Sequence, residues 1–350
     1  MRQDLENLLD NLLDSMERTE KIYITSHPSA DPDSIASLIA ISYLLKIAGV
    51  RENPIYLNHG NIAATSKKLV ELGLSRKLYK LKNRVEGMDS STLIILDAPT
   101  CRRADIDCML FSRVFIIDHH ALGDIDGEYS KESNRFFIYR DEYHTSTTEI
   151  AVQILKIYMS RVENLEIPRD IATAILSGIV YDTKALQSAS IIALDSTLFL
   201  AMHGASVSEA LKLIHTDMAL DERIARVKGM MRTEAYRSGD TIVCISHVGA
   251  HESSLAHLLI VSGCDLAVVL SDRNDHIRIS ARCSERLCRE SIDLEYLLFK
   301  KLSEIFKASY GGHRKAGVAS IRGENIEIVK GRILNILDNI LDNRLRRLHP

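Results

Sequence analysis

The spacing of apolar residues along this chain switches between helical and strand periods many times. Leu5, Leu8, Leu9, Leu12, Leu13 and Met16 recur at helical spacing, so the chain opens on an amphipathic helix. Lys21–Thr25 (KIYIT) reads as a short strand. Residues 34–48 are apolar on most sides and stop at Gly49, which predicts a buried helix with a glycine end. Strands are expected over 53–57, 92–96 (TLIIL), 113–117 and 136–139, with a helix over 63–72 that ends at Gly73. Ser146 and Glu149 form an S-x-x-E capping box ahead of the periodic stretch 150–159, and Pro168 opens a further helix over 168–176. Alternating strands and helices of this kind predict an α/β fold with a doubly wound, mainly parallel sheet over residues 1–190.

From about 190 to 235 the pattern turns helical and lacks strand runs, so 191–237 is expected to be a helical connector. A smaller α/β domain is expected over 238–350, with a strand at 241–246, a helix at 253–261, and strands at 266–270 and 276–281 around a turn at 271–275. A helix near 294–306, the glycine-basic segment 310–317 and an amphipathic helix over 326–348 complete it. The apolar face of that last helix packs on its own domain, with a homodimer contact as the alternative. Neither an internal repeat nor a low-complexity segment interrupts the chain.

Composition narrows the picture. The 350 residues suffice for two domains, and the 46% hydrophobic content fills ordinary cores. The net charge of −3, with acids and bases mixed, points to short anionic ligands rather than a long polymer, although a local basic patch is compatible with it. The six cysteines contain no CxxC pair, so they are expected as reduced, packed thiols. The N-terminal segment is acidic and amphipathic, unlike a signal peptide, and the longest apolar run is too short to span a bilayer. A cytoplasmic protein without membrane contact is expected.

Chemistry concentrates where predicted strands end. His27, Asp31 and Asp33 follow the first strand, Asp97 follows TLIIL, and Asp118-His119-His120 follows an apolar run. Asp182 is read by the same strand-then-acid pattern. In open α/β sheets, ligands bind at those carboxyl ends. Each acid alone is more readily a cap or turn residue; together they suit a metal cage. Mixed imidazole and carboxylate donors fit Mn²⁺, Fe²⁺ or Mg²⁺ better than a thiolate zinc site. His27, Asp31, Asp33, Asp97, His119 and Asp182 outnumber the ligands one ion needs, so two ions sharing a carboxylate are expected. Such a pair suits in-line phosphoryl displacement through an activated water. His120 is placed to stabilise the transition state or protonate the leaving oxygen. Arg102 and Arg103 are candidates for reaching the scissile phosphate, with solvated arginines as the alternative. Gly311-Gly312-His313-Arg314 and Arg282 suit phosphate binding, because glycines admit close backbone approach and arginine offers a fork.

These clusters, in this order, resemble the DHH phosphoesterase family. HPSADPDS is similar to its first motif, Asp97 to its second, Asp118-His119-His120 to its third and Asp182 to its fourth. GGHRKAG resembles the glycine-histidine signature of the DHH-associated domain, and Ile279-Ser280-Ala281-Arg282 the strand before it. The resemblance implies a dinuclear phosphoesterase with two divalent ions, most often Mn²⁺, with Mg²⁺ as the alternative. His27 and Asp31 would bind one ion; Asp33, His119 and Asp182 the other; Asp97 would bridge. Asp118 would orient a ligand histidine, His120 would act on the phosphate, and His313 and Arg314 would hold the substrate's far phosphate or sugar across an interdomain cleft. Tyr310 stands where the family has another glycine, and would stack on a base or narrow the pocket.

The build is similar to the nanoRNase and pAp-phosphatase branch, whose members cut short RNA or remove the 3′-phosphate of pAp. The expected function is therefore a manganese-dependent phosphodiesterase or phosphatase acting on short RNA or DNA oligonucleotides or small nucleotides. A RecJ-like single-strand exonuclease is the second enzyme reading; absent Trp and 5% aromatics give it little stacking surface. A non-catalytic nucleic-acid or replication-associated binding protein is the third.

Overall fold

The computed structural model describes residues 2–19, 21–85, 90–120, 135–273, 275–290, 292–341 and 344–348. The chain divides into two units, Met1–Thr216 and Asp217–Pro350. Asn274 of the expected turn, and residues 342–343 of the expected tail helix, lie outside the described residues.

The first unit is built on strands β1 (Lys21–Thr25), β2 (Ile55–Leu57), β3 (Lys80–Lys82), β4 (Ser91–Leu96), β5 (Arg113–Asp118) and β6 (Phe136–Arg140). They form one sheet in the order β3-β2-β1-β4-β5-β6, every neighbouring pair parallel. The order reverses between β1 and β4, where the connections leave in opposite directions and open a crevice at the carboxyl ends. Its helices are α1 (Arg2–Arg18), α2 (Pro32–Ile47), α3 (Lys67–Ser75), α4 (Thr147–Arg161), α5 (Arg169–Asp182), α6 (Ile191–Met202) and α7 (Val207–Ile214). One face of the sheet, with Ile24, Ile94, Phe115 and Ile117, packs into a core shared with these helices. The other, with Tyr23, Leu93, Ile95 and Val114, is covered by Ala98, Cys101, Ala104 and Phe111 from the segment after β4.

Helix α2 is buried from Pro32 through Leu45, as expected of a segment apolar on most sides. Its neighbour α5 approaches closely because Gly178 has no side chain. A Cβ there would stand 2.2 Å from Thr148 Oγ1 and 2.7 Å from Ala36 Cβ. Gly73 does not end its helix, and α3 continues to Ser75; glycine stands there because the Tyr79 ring occupies the space that a Cβ would need.

The second unit contains α8 (Leu220–Met231), β7 (Glu234–Ser238), β8 (Thr241–His247), α9 (Glu252–Val261), β9 (Leu266–Asp272), β10 (His276–Cys283), α10 (Glu285–Glu290), α11 (Lys300–Phe306), β11 (Ser309–His313), β12 (Ala316–Arg322), α12 (Ile326–Ile340) and β13 (Arg346–Arg347). Its sheet runs β11-β12-β10-β9-β8-β7-β13, antiparallel except for β8 with β9. The glycine-basic segment is thus an edge strand and its hairpin rather than a loop. The tail helix ends at Ile340, and Arg346–Arg347 pairs with β7.

The expectation of free thiols is overturned. Cys101–Cys108, Cys244–Cys264 and Cys283–Cys288 are disulfides, with Cα separations of 5.9, 6.0 and 6.1 Å. These separations lie within the range a disulfide spans. Local folding brings together cysteines that carry no spacing signature: Cys244 on β8 meets Cys264 just before the parallel strand β9. Among the described residues, no single helix is long and apolar enough to cross a membrane.

Gly178→Ala is expected to lower unfolding free energy by about 1–3 kcal/mol in chemical denaturation, because the methyl group overpacks the α4–α5 contact.

Candidate metal centre

Each functional side chain of the first unit is aimed by the element that carries it. After β1, Asp31 caps α2: its Oδ1 accepts from the backbone N–H groups of Asp33 and Ser34 at 3.0 and 3.1 Å, leaving Oδ2 for other partners. His27 Nδ1 accepts from Ser29 N at 3.3 Å, and His27 Nε2 lies 3.4 Å from Asp97 Oδ2 and 3.9 Å from Asp31 Oδ2. Asp33 sits in the first turn of α2, fully buried, and accepts from the N–H groups of Thr147 (2.7 Å) and Thr148 (2.9 Å) at the start of α4. A helix N-terminus favours an anion there.

Asp97, directly after β4, has φ of 57°, a left-handed conformation uncommon in a non-glycine residue and concentrated at functional sites. Its N–H donates to Ile117 O on β5. Ser34 Oγ donates to its Oδ2 at 2.6 Å and Thr147 Oγ1 to its Oδ1 at 3.3 Å, so the carboxylate plane is held from both sides. His119 Nε2 lies 3.6 Å from Asp97 Oδ1, 3.7 Å from Asp182 Oδ2 and 4.0 Å from Asp33 Oδ2. The His119 ring also bonds the backbone of His144. That partner fixes the ring so that Nε2 points at the carboxylates.

Three groups of three donors result, with the ligand atoms of each within 4.8 Å of one another: Asp97-His119-His120, which overlaps the others through Asp97 and His119, and the pair His27-Asp31-Asp97 and Asp33-His119-Asp182. The two oxygens of Asp97 divide between them. The residues therefore fit divalent cations: four carboxylates and two imidazoles converge, and the crowding is unfavourable without positive charge. Burial, with repulsion from Asp97 and Asp182, pushes the Asp33 carboxyl well up; burial with Asp31 and Asp97 pushes Asp182 up to about 7; burial and Asp97 raise Asp31. Burial keeps His119 below the ordinary imidazole range, in the neutral form a metal needs.

Asp182 corrects the strand-then-acid reading, since it is the last residue of α5. Asp118 lies beside these donors. It is fully buried and turns to His120: Oδ1 stands 2.9 Å from His120 Nδ1, and Oδ2 accepts the His120 N–H at 3.2 Å. This hydrogen bond is the largest cause raising His120 to about 9. The His120 side chain is half-exposed, and together with Arg103 it lines a cavity of about 810 Å³ over the donor groups. Arg102 is exposed and is not among the cavity's lining residues. Ser34, Thr147, Thr148 and the His144 backbone were missed; the capping box at Ser146 was the one signal that α4 begins here, without showing that it points at Asp33.

In the second unit, Arg282 and His313 both lie opposite Ala316, on either side of β12, and so share one face. Gly311 is two residues from His313 on that face. Gly312 has φ of 157°, and a Cβ there would stand 2.5 Å from Gly317 Cα, so the hairpin closes only around glycine. Arg314 Nε donates to Ile292 O at 3.4 Å, which ties it to the loop before α11. Tyr310 stacks on Phe299, centroids 6.5 Å apart, on the face opposite His313.

Residues 21–179 match the model of the DHH family, N-terminal domain. Residues 21–179 therefore form a DHH-family domain. The chain is 28% identical over 315 residues to an uncharacterised protein of Methanocaldococcus jannaschii, covering 87% of the chain and 88% of that protein. It is 23% identical over 350 residues to a cyclic-di-AMP phosphodiesterase of Bacillus subtilis, covering 96% of the chain but 50% of the Bacillus protein. An exopolyphosphatase-related protein from Bacteroides fragilis shares this fold, with a TM-score of 0.60, 18% identity and 96% coverage of each chain.

The raised pKa values set a pH dependence for metal-free protein. Asp31, Asp33, Asp182 and His27 all hold protons more tightly folded than unfolded, so their stabilising effect is complete below about pH 4 for the acids; it is lost as pH rises through the folded values, about 7 for Asp182. His119 acts in the opposite sense and is outnumbered. In EDTA, Tm is expected to fall from pH 5 to pH 8. Mn²⁺ at a hundredfold excess over Kd is expected to restore about 2.7 kcal/mol at pH 8 and clearly less at pH 5, where protons compete. Equal gains at both values would count against a carboxylate cage.

Proposed function

We propose that this protein is a manganese-dependent phosphodiesterase or phosphatase that hydrolyses short oligonucleotides or small nucleotides such as pAp. The observation that carries the reading is the Asp97 carboxylate, whose Oδ2 faces His27 at 3.4 Å while Oδ1 faces His119 at 3.6 Å. One carboxylate shared between two donor groups is the arrangement a two-ion phosphoesterase needs. In this reading His27 and Asp31 would hold one ion and Asp33, His119 and Asp182 the other, with Asp97 shared between the two groups. Mn²⁺ is favoured over zinc by the oxygen-rich donor set, with Mg²⁺ second. When bound, the ions supply water activation near neutral pH and neutralise charge on the phosphate oxygens.

The chain's own groups supply the remaining steps. Arg103, at the cavity wall, pairs with a non-bridging phosphate oxygen. Asp118 holds His120 by Nδ1, leaving the Nε2–H to face the phosphate. As water oxygen bonds to phosphorus and the ester P–O bond breaks, His120 passes that proton to the leaving oxygen. Arg282, Gly311, Gly312, His313 and Arg314 of the second unit bind another phosphate or the sugar of the substrate. The cyclic dinucleotide cleaved by the Bacillus relative is a third small substrate of the same chemistry.

The test is Mn²⁺-loaded protein with pAp, a 5′-phosphorylated RNA dinucleotide, a cyclic dinucleotide and a long single strand. Turnover of the short substrates, lost in Asp97→Ala, is expected. Faster cutting of the long strand would move the protein to the exonuclease reading, and silence across the panel without bound metal would favour the binding-protein reading. His120→Gln is expected to lower kcat about 10²–10⁴-fold while metal content, read by elemental analysis, stays unchanged.

A further inference from the structure

The face of the second sheet that carries Arg282 and His313 continues beyond them. Along β10 the residues alternate: Ile277, Ile279, Ala281 and Cys283 enter the core, while Arg278, Ser280 and Arg282 point the other way. Register carries this pattern across the sheet in three rows. Arg282, Ala316 and His313 form the first, Ser280, Val318 and Gly311 the second, and Arg278, Ser320 and Ser309 the third. Helix α9 covers the β10 side of the middle row, where Ser280 is buried and shares a hydrogen bond with Ser253 at 3.1 Å. The β12 and β11 side is open: Ser309, Gly311 and His313 are exposed, and Ala316, Val318 and Ser320 half-buried.

The floor between the outer rows is therefore low, made of Val318 and Gly311, and each outer row carries an arginine. Arg278 is exposed, and neither its side chain nor that of Arg282 has an ion pair or hydrogen bond among the described residues. His313 Nδ1 is taken by Lys315 N at 3.3 Å, which leaves Nε2 for a ligand. Four residues of strand separate the two arginines by about 13 Å, and two strand spacings set the width at about 9.5 Å. Two unneutralised guanidinium groups with hydroxyl and imidazole partners, spaced along a small-residue floor, suit a ligand with anionic groups at two separated places.

We propose that Arg278, with Ser320 and Ser309, forms an outer phosphate subsite that engages a linear oligonucleotide beyond the phosphate held by Arg282 and His313. The inference rests on the reading that this face binds substrate, and it deepens that reading into a length preference. A mononucleotide reaches the inner row alone; a trinucleotide reaches both.

The test is isothermal titration of the full chain, in EDTA to prevent turnover, with pAp and with a 5′-phosphorylated triadenylate. Arg278→Ala is expected to weaken triadenylate binding about tenfold, the size of one charge-assisted contact, and to leave pAp binding unaltered. The slope of log affinity against log salt should shrink by about 0.7 for the triadenylate. Arg278→Lys should recover part of the loss, and Arg282→Ala should weaken both ligands. Unchanged triadenylate affinity in Arg278→Ala, an equal loss for pAp, or no triadenylate binding by the unaltered protein would each overturn the subsite. Arg278-dependent binding without turnover in Mn²⁺ would instead overturn the proposed reaction and leave the subsite standing.

Discussion

Four carboxylates, Asp31, Asp33, Asp97 and Asp182, face a common space at the carboxyl edge of the first sheet, and their mutual repulsion is the constraint around which that unit is arranged. Like charges this close, in a place where Asp33 and Asp97 see almost no solvent, are costly unless something opposes them. The structure opposes them with directed hydrogen bonds. The start of α4 gives two N–H groups to Asp33, Ser34 and Thr147 hold the two oxygens of Asp97, and the start of α2 satisfies Asp31. These contacts orient the acids without neutralising them. Positive charge is still called for, and the two imidazoles of His27 and His119 stand where a cation would complete each group.

The packing of the helices follows from that demand. Asp33 rides on α2, its donors on α4 and Asp182 on α5, so the three helices must converge. Gly178 lets them do so, because any side chain there would meet Thr148, one of the residues that holds Asp33. Asp118 and His120 form a separate pair beside the cage. Sharing one buried carboxylate through both its backbone and its ring, His120 keeps a single orientation toward the cavity.

The second unit solves a different problem. Its edge hairpin is glycine-rich because the strands β11 and β12 approach more closely at Gly312 and Gly317 than a Cβ allows. That closeness yields a low surface, and the period-two alternation of β10 supplies it with arginines on one side and core residues on the other. Tyr310, which from sequence alone was a candidate for stacking on a base, falls on the core side by the same alternation and stacks on Phe299 instead.

Local pattern determined much of this protein. The apolar periods of β1, α2, β4 and β5 are strong enough to place those elements, and the acids and histidines that follow them lie where such strands must end; the candidate donors were legible for that reason. Orientation was not, because it depends on partners distant in the chain. Nothing near Asp118 shows that it turns to His120, and nothing near Asp182 shows that a helix continued to it. The strands β3, β7, β11 and β12 were missed or read as loop because their short sequences carry little apolar period; ladder bonds to neighbours make them strands. The cysteine pairs follow the same rule: their sequence spacing shows no motif, and only the fold sets their Cα atoms about 6 Å apart. Sequence determined where the acids and histidines cluster along the chain, and tertiary packing decided which way each one faces.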